Sequence, residues 1–443
     1  HAVREATRSL DAGKVAGISL STQAASMLCA DGDGNPLGEV ITWMDSRATR
    51  EAERLSHEIG AENIYRTSGW LPDMFRNVIG KAKDFLQTLI REQDIRENEP
   101  ELFASAETFI STLEYMNMKL CGRCVIDPTN AAMRQMYDIG KKEWNGEILD
   151  FLGINEDRLP EVLPIGAEIG NLTESAAEQL GLSKKVKVFN GAHDQYCAAV
   201  GCGAVCEGDM LLATGTTWVV LGVTKAPLYT DSHISPGLHP VSGLYGALAS
   251  IVSAGSALNW YKNIIDRDFK EIDSMAQSRR DSARDLFVMP YVCGAGFPHM
   301  RPDMRGVMLG LDAGHDRYDI ARALMEGVAF EAAGVLDGFA ERGMSIKKLM
   351  MTGGAARSEL WSSIVGYVTG CDIYRMREKE TCCVGAAMTA AVGLGLFSDY
   401  GQCRETMVHS ERLRLDDASS YEFYREKRAR YDTLVGGIKS ILQ

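Results

Sequence analysis

The first hydrophobic pattern in the chain is that of strands. "AGISLST" (16–22) and "SMLCADGDGNPLG" (26–38) read as a strand pair joined and closed by turn residues. In "ITWMDSRATREAERLSHEIG" (41–60) the period lengthens to that of an amphipathic helix, with Asp45 as N-cap and Gly60 as stop signal. Helical character continues to about residue 150 through "NEPELFASAETFISTLEYMNMKLCG" and "DPTNAAMRQMYDIGKKEWNGEILDFLG". "LPEVLPIGAEIG" is a proline-punctuated connection. In "TESAAEQLGL" Thr173 opens a short helix, and Ala176 stands where a capping box would place an acid.

From residue 186 the pattern becomes strand, glycine loop, helix. "VKVFNGAHDQYCAAVGCGAV" (186–205) runs from a β-rich stretch through Gly191 into His193, Asp194 and Gln195. "DMLLATGTTWVVLGVT" (209–224) reads as strand, turn, strand, and "SIVSAGSALNWYKNII" (250–265) as a strand or loop entering a helix. "DRYDIARALMEGVAFEAAGVLDGFAERG" (316–343) places Ile320, Leu324, Gly327 and Val328 on one helical face. "KKLMMTGGAARSELWSSIVGYVTG" (347–370) reads as strand, Gly-Gly, helix, and "ETCCVGAAMTAAVGLGLF" as a small-residue helix suited to close packing. The pattern predicts an α/β protein of two lobes, joined somewhere between residues 185 and 210.

Composition narrows the function classes. A chain of 443 residues with 45% hydrophobic and 24% charged residues has ample length for a core and an ordinary globular balance. The net charge of −13 argues against a nucleic-acid footprint, which needs clustered lysine and arginine. The 11 cysteines are scattered and odd in number, which fits a reducing cytoplasm better than a disulfide framework. Cys121 and Cys124 form one C-x-x-C without a second pair at zinc spacing, and packing is the default reading for them. No apolar run reaches membrane-spanning length.

Three glycine features carry candidate chemistry: Gly191 near Asp194, Gly215-Thr216-Thr217, and Gly353-Gly354-Ala355. Glycine lets backbone approach a ligand closely, and free N–H groups where a loop opens a helix favour phosphate. Together with an acid at a strand end they suggest a nucleotide cleft. The chain has neither G-x-x-x-x-G-K-[ST] nor a post-strand G-x-G-x-x-G with a distant acid, so a P-loop enzyme and a Rossmann dehydrogenase are disfavoured.

"ITWMDSRA", "GAHDQYCAAVGCG", "TGTT" and "MTGGAARSELW" together resemble the FGGY family of carbohydrate kinases. "NEPELF", "DPTNAA", "LPEV", "MPYVCGAGFPHMRPDMRGVMLGL" and "EGVAFEA" fall in the family's order, so the resemblance covers nearly the whole chain. It implies two RNase-H-like lobes of the actin and hexokinase type, here residues 1–196 on the sugar side and 197–443 on the ATP side, with an interdomain cleft. It implies that Asp194 is the general base, with Gln195 contacting the sugar, and that Asp45 and Arg47 belong to the "W-x-D-x-R" element. By the same resemblance Gly215, Thr216 and Thr217 hold ATP phosphates, with Gly255 and Ser256 as a second contact. Gly353, Gly354 and Ala355 lie against the nucleotide, and Ser358 falls where adenine or ribose is touched. ATP and Mg²⁺ are the implied cofactors and a small-molecule sugar the partner, with no nucleic acid and no membrane. No metal ligands are assigned, and a homodimer remains open.

Within the family the order of motifs is similar to xylulokinases. Those carry Met-His in "S-x-Q-M-H-G", where this chain has "STQAAS", so Ala24 and Ala25 replace the sugar-reading pair. "GAGFPH" (294–299) replaces "GERTPH". Both changes leave xylulose less well supported than ATP, and a ketose, polyol or sugar acid stays open as acceptor. The family's first Asp-x-Gly-Thr hairpin has no match before Gly17, so the first lobe reads as truncated at its start. That feature favours the alternative of a catalytically silent sugar- or nucleotide-binding protein of the same fold, against which Asp194 weighs. An actin-fold ATPase of the chaperone type is disfavoured by "ITWMDSRA" and "MTGGAARSELW".

Overall fold

The computed structural model of the chain describes residues 1–42, 55–71, 100–230 and 234–441. Asp45 and Arg47, with most of the helix expected over 41–60, lie outside the described residues. Two sheets organise the rest. The first holds β1 (Gly17–Thr22), β2 (Glu168–Asn171) and β3 (Lys187–His193), with β3 in the middle, parallel to β1 and antiparallel to β2. The strand pair expected of residues 16–38 does not form. Leu28–Ala30 pairs instead with Thr108–Ile110, where Phe109 and Ile110 are fully buried. Parallel partners require a crossover, so adjacency in sequence is a poor guide to the neighbour of β1.

The stretch expected to be helical to residue 150 also contains short strands, Thr108–Ile110 and the hairpin Tyr137–Asp138 with Glu143–Trp144. Elements of two or three residues are too brief to show a period against helices on either side. The helical segment Ser56–Gly60 does end at Gly60, whose φ is 91°, and a separate helix, Ala61–Ser68, follows directly. Gly191 lies inside β3 rather than in a turn; a Cβ there would run into the Leu20 carbonyl beside the irregular register of β1 and β3. Thr173 does cap its helix alone, accepting from the Ala176 N–H at 3.1 Å.

Helix α1 (Pro128–Met133) starts on the proline its Asp127 cap precedes, and α2 (Asp194–Gly201) leaves β3 directly. The chain then enters the second sheet: β4 (Met210–Thr214), β5 (Trp218–Thr224), β6 (Ser235–Leu238), β7 (Tyr245–Ile251), β8 (Lys348–Gly353), β9 (Asp372–Met376) and β10 (Ser410–Arg412). Their order is β6-β7-β5-β4-β8-β9-β10, with β4, β8 and β9 parallel and the flanking strands antiparallel. The helices used below are α3 (Gly255–Ile265), α4 (Phe269–Ala276), α5 (Arg317–Ala340), α6 (Glu359–Thr369), α7 (Thr381–Gly393) and α8 (Ala418–Ile441), with a further helix, Tyr400–Met407, between the last two. The α/β, two-lobed architecture expected from the sequence is the one observed.

Leu324, Gly327 and Val328 are buried on α5 as expected, but burial runs round most of that helix. It is buried on a further side by α8, which brings Lys427 to Glu326 at 2.6 Å beside Arg322 at 2.8 Å, all three buried. The small residues of α7 serve close packing: a Cβ on Gly385 would run into the Cys197 carbonyl of α2, and one on Gly201 into the Thr381 carbonyl. Among the described residues no helix is long and apolar enough to cross a membrane.

Candidate active site

Register decides where the glycine turns go. Thr214 at the end of β4 lies level with Gly353 at the end of the parallel β8, so Gly215 and Gly354 leave the sheet side by side. Trp218 of β5 lies level with Ile251 of β7, which carries the start of α3 to the same end of the sheet. The turns are stitched together by backbone. The Gly354 N–H donates to the Thr214 carbonyl at 2.8 Å, and the Ser256 N–H to the Thr216 carbonyl at 2.8 Å. The Thr214 hydroxyl donates to the Thr352 carbonyl at 2.6 Å and accepts from the Ala356 N–H at 3.2 Å.

The glycines at this junction do different work. Gly353 has φ 95° and its missing Cβ would sit 2.7 Å from the Thr214 carbonyl oxygen; a Cβ on Gly255 would strike the Gly215 carbonyl. These two are demanded by the fold. Gly354 has ordinary right-handed backbone and its nearest neighbour is 3.5 Å away, while Gly215 has similar room. Both are exposed, so packing places no demand on their missing side chains.

Beyond the turns opens a cavity of about 740 Å³. Its wall contains Gly215, Thr216, Gly255, Gly354, Ala355 and Ser358 from the sequence-derived set. Thr217, Ser256 and Gly353 support that wall without lining it; the Ser256 hydroxyl donates to the Val252 carbonyl at 3.0 Å. Trp218 and Trp361 give the cavity an apolar floor, their ring centroids 5.0 Å apart. The sequence reading missed one whole side, the α4 residues Phe269, Lys270 and Asp273. The helical spacing of these three was the available signal, but it matches no motif. Ser358 caps α6, accepting from the Trp361 N–H at 2.8 Å, and donates its own proton to Asp273. Burial pushes the Asp273 carboxyl above its usual value, against the pull of the Ser358 hydrogen bond.

Asp194 stands outside this wall, at the first turn of α2 with its side chain 37% exposed. The N-cap position is His193, not Asp194, and the Asp194 carboxylate meets His193 Nε2 at 3.0 Å. Two supports aim it. Thr129, itself tied to the buried Asp127, accepts from the His193 N–H at 2.9 Å. The Asp194 carbonyl accepts from Cys382 of α7 at 3.5 Å. The neighbouring Thr381 hydroxyl lies 3.4 Å from that of Thr352 in β8, so α7 bridges Asp194 to the strand end that carries the cavity.

The level register of Thr22 and His193 brings the segment after β1 beside Asp194. Ala24 and Ala25 are buried there, Ala24 in the cluster that includes Trp70 and Tyr196, and Ala25 with φ 60°. Buried polar atoms gather around Asp194 without partners among the described residues: Thr22 Oγ1, Asn130 Oδ1, His193 Nδ1 and Gln195 Oε1. Each such atom costs about 1–3 kcal/mol unless something hydrogen-bonds to it. The "GAGFPH" segment sits on the second lobe, with His299 3.1 Å from the buried Glu331.

All 11 cysteines are free, and burial raises the Cys121 thiol and pushes that of Cys124 to about 11. Among the described residues no group of three or more metal-type side chains is found.

Comparison with known proteins agrees with this architecture. The N-terminal domain of the FGGY family of carbohydrate kinases matches residues 1–201, and the C-terminal domain of that family matches residues 210–394. The chain is 27% identical over 430 residues to a xylulose kinase of Staphylococcus epidermidis, covering 96% of this chain and 84% of the relative. It is 26% identical to an L-xylulose/3-keto-L-gulonate kinase of Escherichia coli, with 96% and 84% covered. The crystal structure of a xylulose kinase from Lactobacillus acidophilus superposes with a TM-score of 0.89 at 22% identity, covering 99% of this chain and 87% of that one. The two-lobed α/β architecture thus agrees with the matched domains: the chain belongs to the FGGY family of carbohydrate kinases and is a carbohydrate kinase.

Proposed function

We propose that this kinase transfers the γ-phosphoryl group of ATP to a hydroxyl of a ketose, polyol or sugar acid, in the manner of a xylulokinase, with Asp194 as general base. The substrate oxygen attacks the γ-phosphorus, the bond from phosphorus to the β,γ-bridging oxygen breaks, ADP leaves, and the hydroxyl proton passes to the Asp194 carboxylate. The observation that carries this reading is the half-exposed Asp194 carboxylate among unpartnered buried polar atoms, bridged by α7 to the strand end of the glycine cradle. The phosphates lie on Gly215, Thr216, Gly255 and Gly354, where backbone can approach closely, with Thr217, Ser256, Gly353 and Ala355 shaping the turns. Gln195 faces the sugar. Asp45 and Arg47 are assigned to the same side from the sequence alone. Residues 1–196 serve the sugar and residues 197–443 the nucleotide, in a cytoplasmic protein.

Mg²⁺ is expected to arrive with the nucleotide. Magnesium retains water and takes few protein ligands, and no side-chain cluster among the described residues forms a site by itself.

Ala24 and Ala25 leave the acceptor side with less hydrogen-bonding capacity than the Met-His of xylulokinases, and a lost hydrogen bond to a substrate hydroxyl carries large discrimination. Xylulose is thus expected to be a poor acceptor beside a bulkier or more oxidised sugar. Measuring ATP consumption across ketoses, polyols and sugar acids tests this. Xylulose emerging as the best acceptor would restore the plain xylulokinase assignment, and no turnover with any acceptor would favour the silent binding protein.

A further inference from the structure

The nucleotide cavity has two chemically different ends. One is backbone: Gly215, Thr216, Gly255 and Gly354. Along α3 the lining moves from Gly255 to Leu258 and Asn259, one turn and about 5 Å further. The chain then turns at Asp266 into α4, which contributes Phe269, Lys270 and Asp273. Residues four apart share a helix face, so the Phe269 ring and the Asp273 carboxylate look into the cavity together. Phe269 is 48% exposed at the wall of the cavity, with the Lys262 ammonium 5.5 Å from its ring centroid.

Asp273 has no structural reason to be ionic in this wall. It has no ion-pair partner among the described residues, and one of its oxygens is taken by the Ser358 hydroxyl. A carboxylate only accepts hydrogen bonds, and the second oxygen of this partly buried side chain is open to a donor. The Asp273 carboxylate disfavours a phosphate directly beside it, although Lys270 and Arg357 also line the wall, and the glycine backbone suits phosphates better. What fits between an exposed aromatic ring and an acceptor is a flat group with an N–H donor on its edge.

We propose that Asp273 selects the base of the phosphoryl donor: its free oxygen accepts the exocyclic amine of adenine, while Phe269 covers the ring. Guanine and hypoxanthine present a carbonyl oxygen at the same position, and two acceptors face to face lose the bond and repel. Asp273 is thus a specificity-determining residue for the donor. This assignment rests on the nucleotide occupying the cavity as proposed above.

Calorimetric titration of the full chain with ADP and with IDP, which differ at this edge of the purine, reads the effect without turnover. The wild type should bind ADP at least about tenfold more tightly than IDP, the discrimination expected of one buried polar contact. In Asp273→Asn the amide can donate to the carbonyl of IDP, and the ratio should close or reverse. Asp273→Ser, which cannot span the distance, should weaken ADP and, with the repulsion relieved, leave IDP equal or tighter, and serves if the Asn variant disturbs the Ser358 cap. An unchanged ADP-to-IDP ratio in both variants overturns the proposal. So does a variant that loses only its preference for ADP over 2′-deoxy-ADP, since Asp273 would then hold the ribose. Gly354→Val separates the two levels: if it leaves ADP binding intact in a folded protein, the cavity reading fails; if it weakens ADP and IDP alike while the Asp273 variants keep the ratio, only the base assignment fails.

Discussion

The cradle at the ends of β4, β5 and β8 is made of backbone, whereas the Asp194 side is made of side chains. In the cradle, glycines at fixed register positions bring carbonyls and N–H groups together, and the Thr214 hydroxyl locks two strands. Around Asp194, direction comes from His193, Thr129 and Cys382, each supplied by a different part of the chain. A backbone site keeps its fold under a change of side chain wherever the missing Cβ has room. A side-chain site fails when a single proton acceptor is lost.

The largest expected effect tests the side-chain half. Asp194→Asn preserves shape and removes the acceptor, so turnover with the best sugar should fall by roughly 10²–10⁴ while ATP binding persists. Near-normal turnover would remove Asp194 from the chemistry.

The backbone half is tested by two adjacent glycines. Gly354→Val should fold normally, since only the Thr214 carbonyl lies within reach at 3.5 Å. It should weaken ATP by about 10–100-fold, the loss of one hydrogen bond to a charged group at about 1.5–3 kcal/mol. Gly353→Val should instead destabilise the protein, because its φ of 95° and the Thr214 backbone oppose any side chain. Binding and melting measurements on the pair should separate the roles, and equal loss of stability in both would erase the distinction.

The smallest effect concerns the seam between the halves. His239, just after β6, packs 6.2 Å from Tyr196 of α2, and burial holds its imidazole down to about 3. The native state therefore resists protonation. The stability is complete above the unfolded value near 6.5 and is lost as pH falls towards 3, by about 2 kcal/mol at pH 5. Urea midpoints at pH 7 and 5 should show this slope in the wild type and lack it in His239→Gln. The same slope in both would place the titration elsewhere.

The two halves were unequally legible in the sequence. Gly215, Gly353 and Gly354 announce themselves because glycine between a strand and a helix is a local signal, and the small residues of α7 announce close packing for the same reason. Asp194 was legible as an acid at a strand end. Phe269, Lys270 and Asp273 were not, because their helix reaches the cavity only once α3 and α4 have folded back over the sheet. The expected hairpin of residues 16–38 failed on the same ground: the partner of β1 is β3, and nothing near β1 in sequence names it.

By itself the sequence determined the α/β class, the strand-turn-helix units, the glycines that let backbone come close, and the family these features resemble. The tertiary structure alone decided which turns meet, because register between distant strands sets Thr214 beside Gly353 and Thr22 beside His193. It also decided which glycine serves the fold and which faces a ligand. That choice depends on how near another segment's carbonyl lies, a distance of a few ångströms that no single segment encodes.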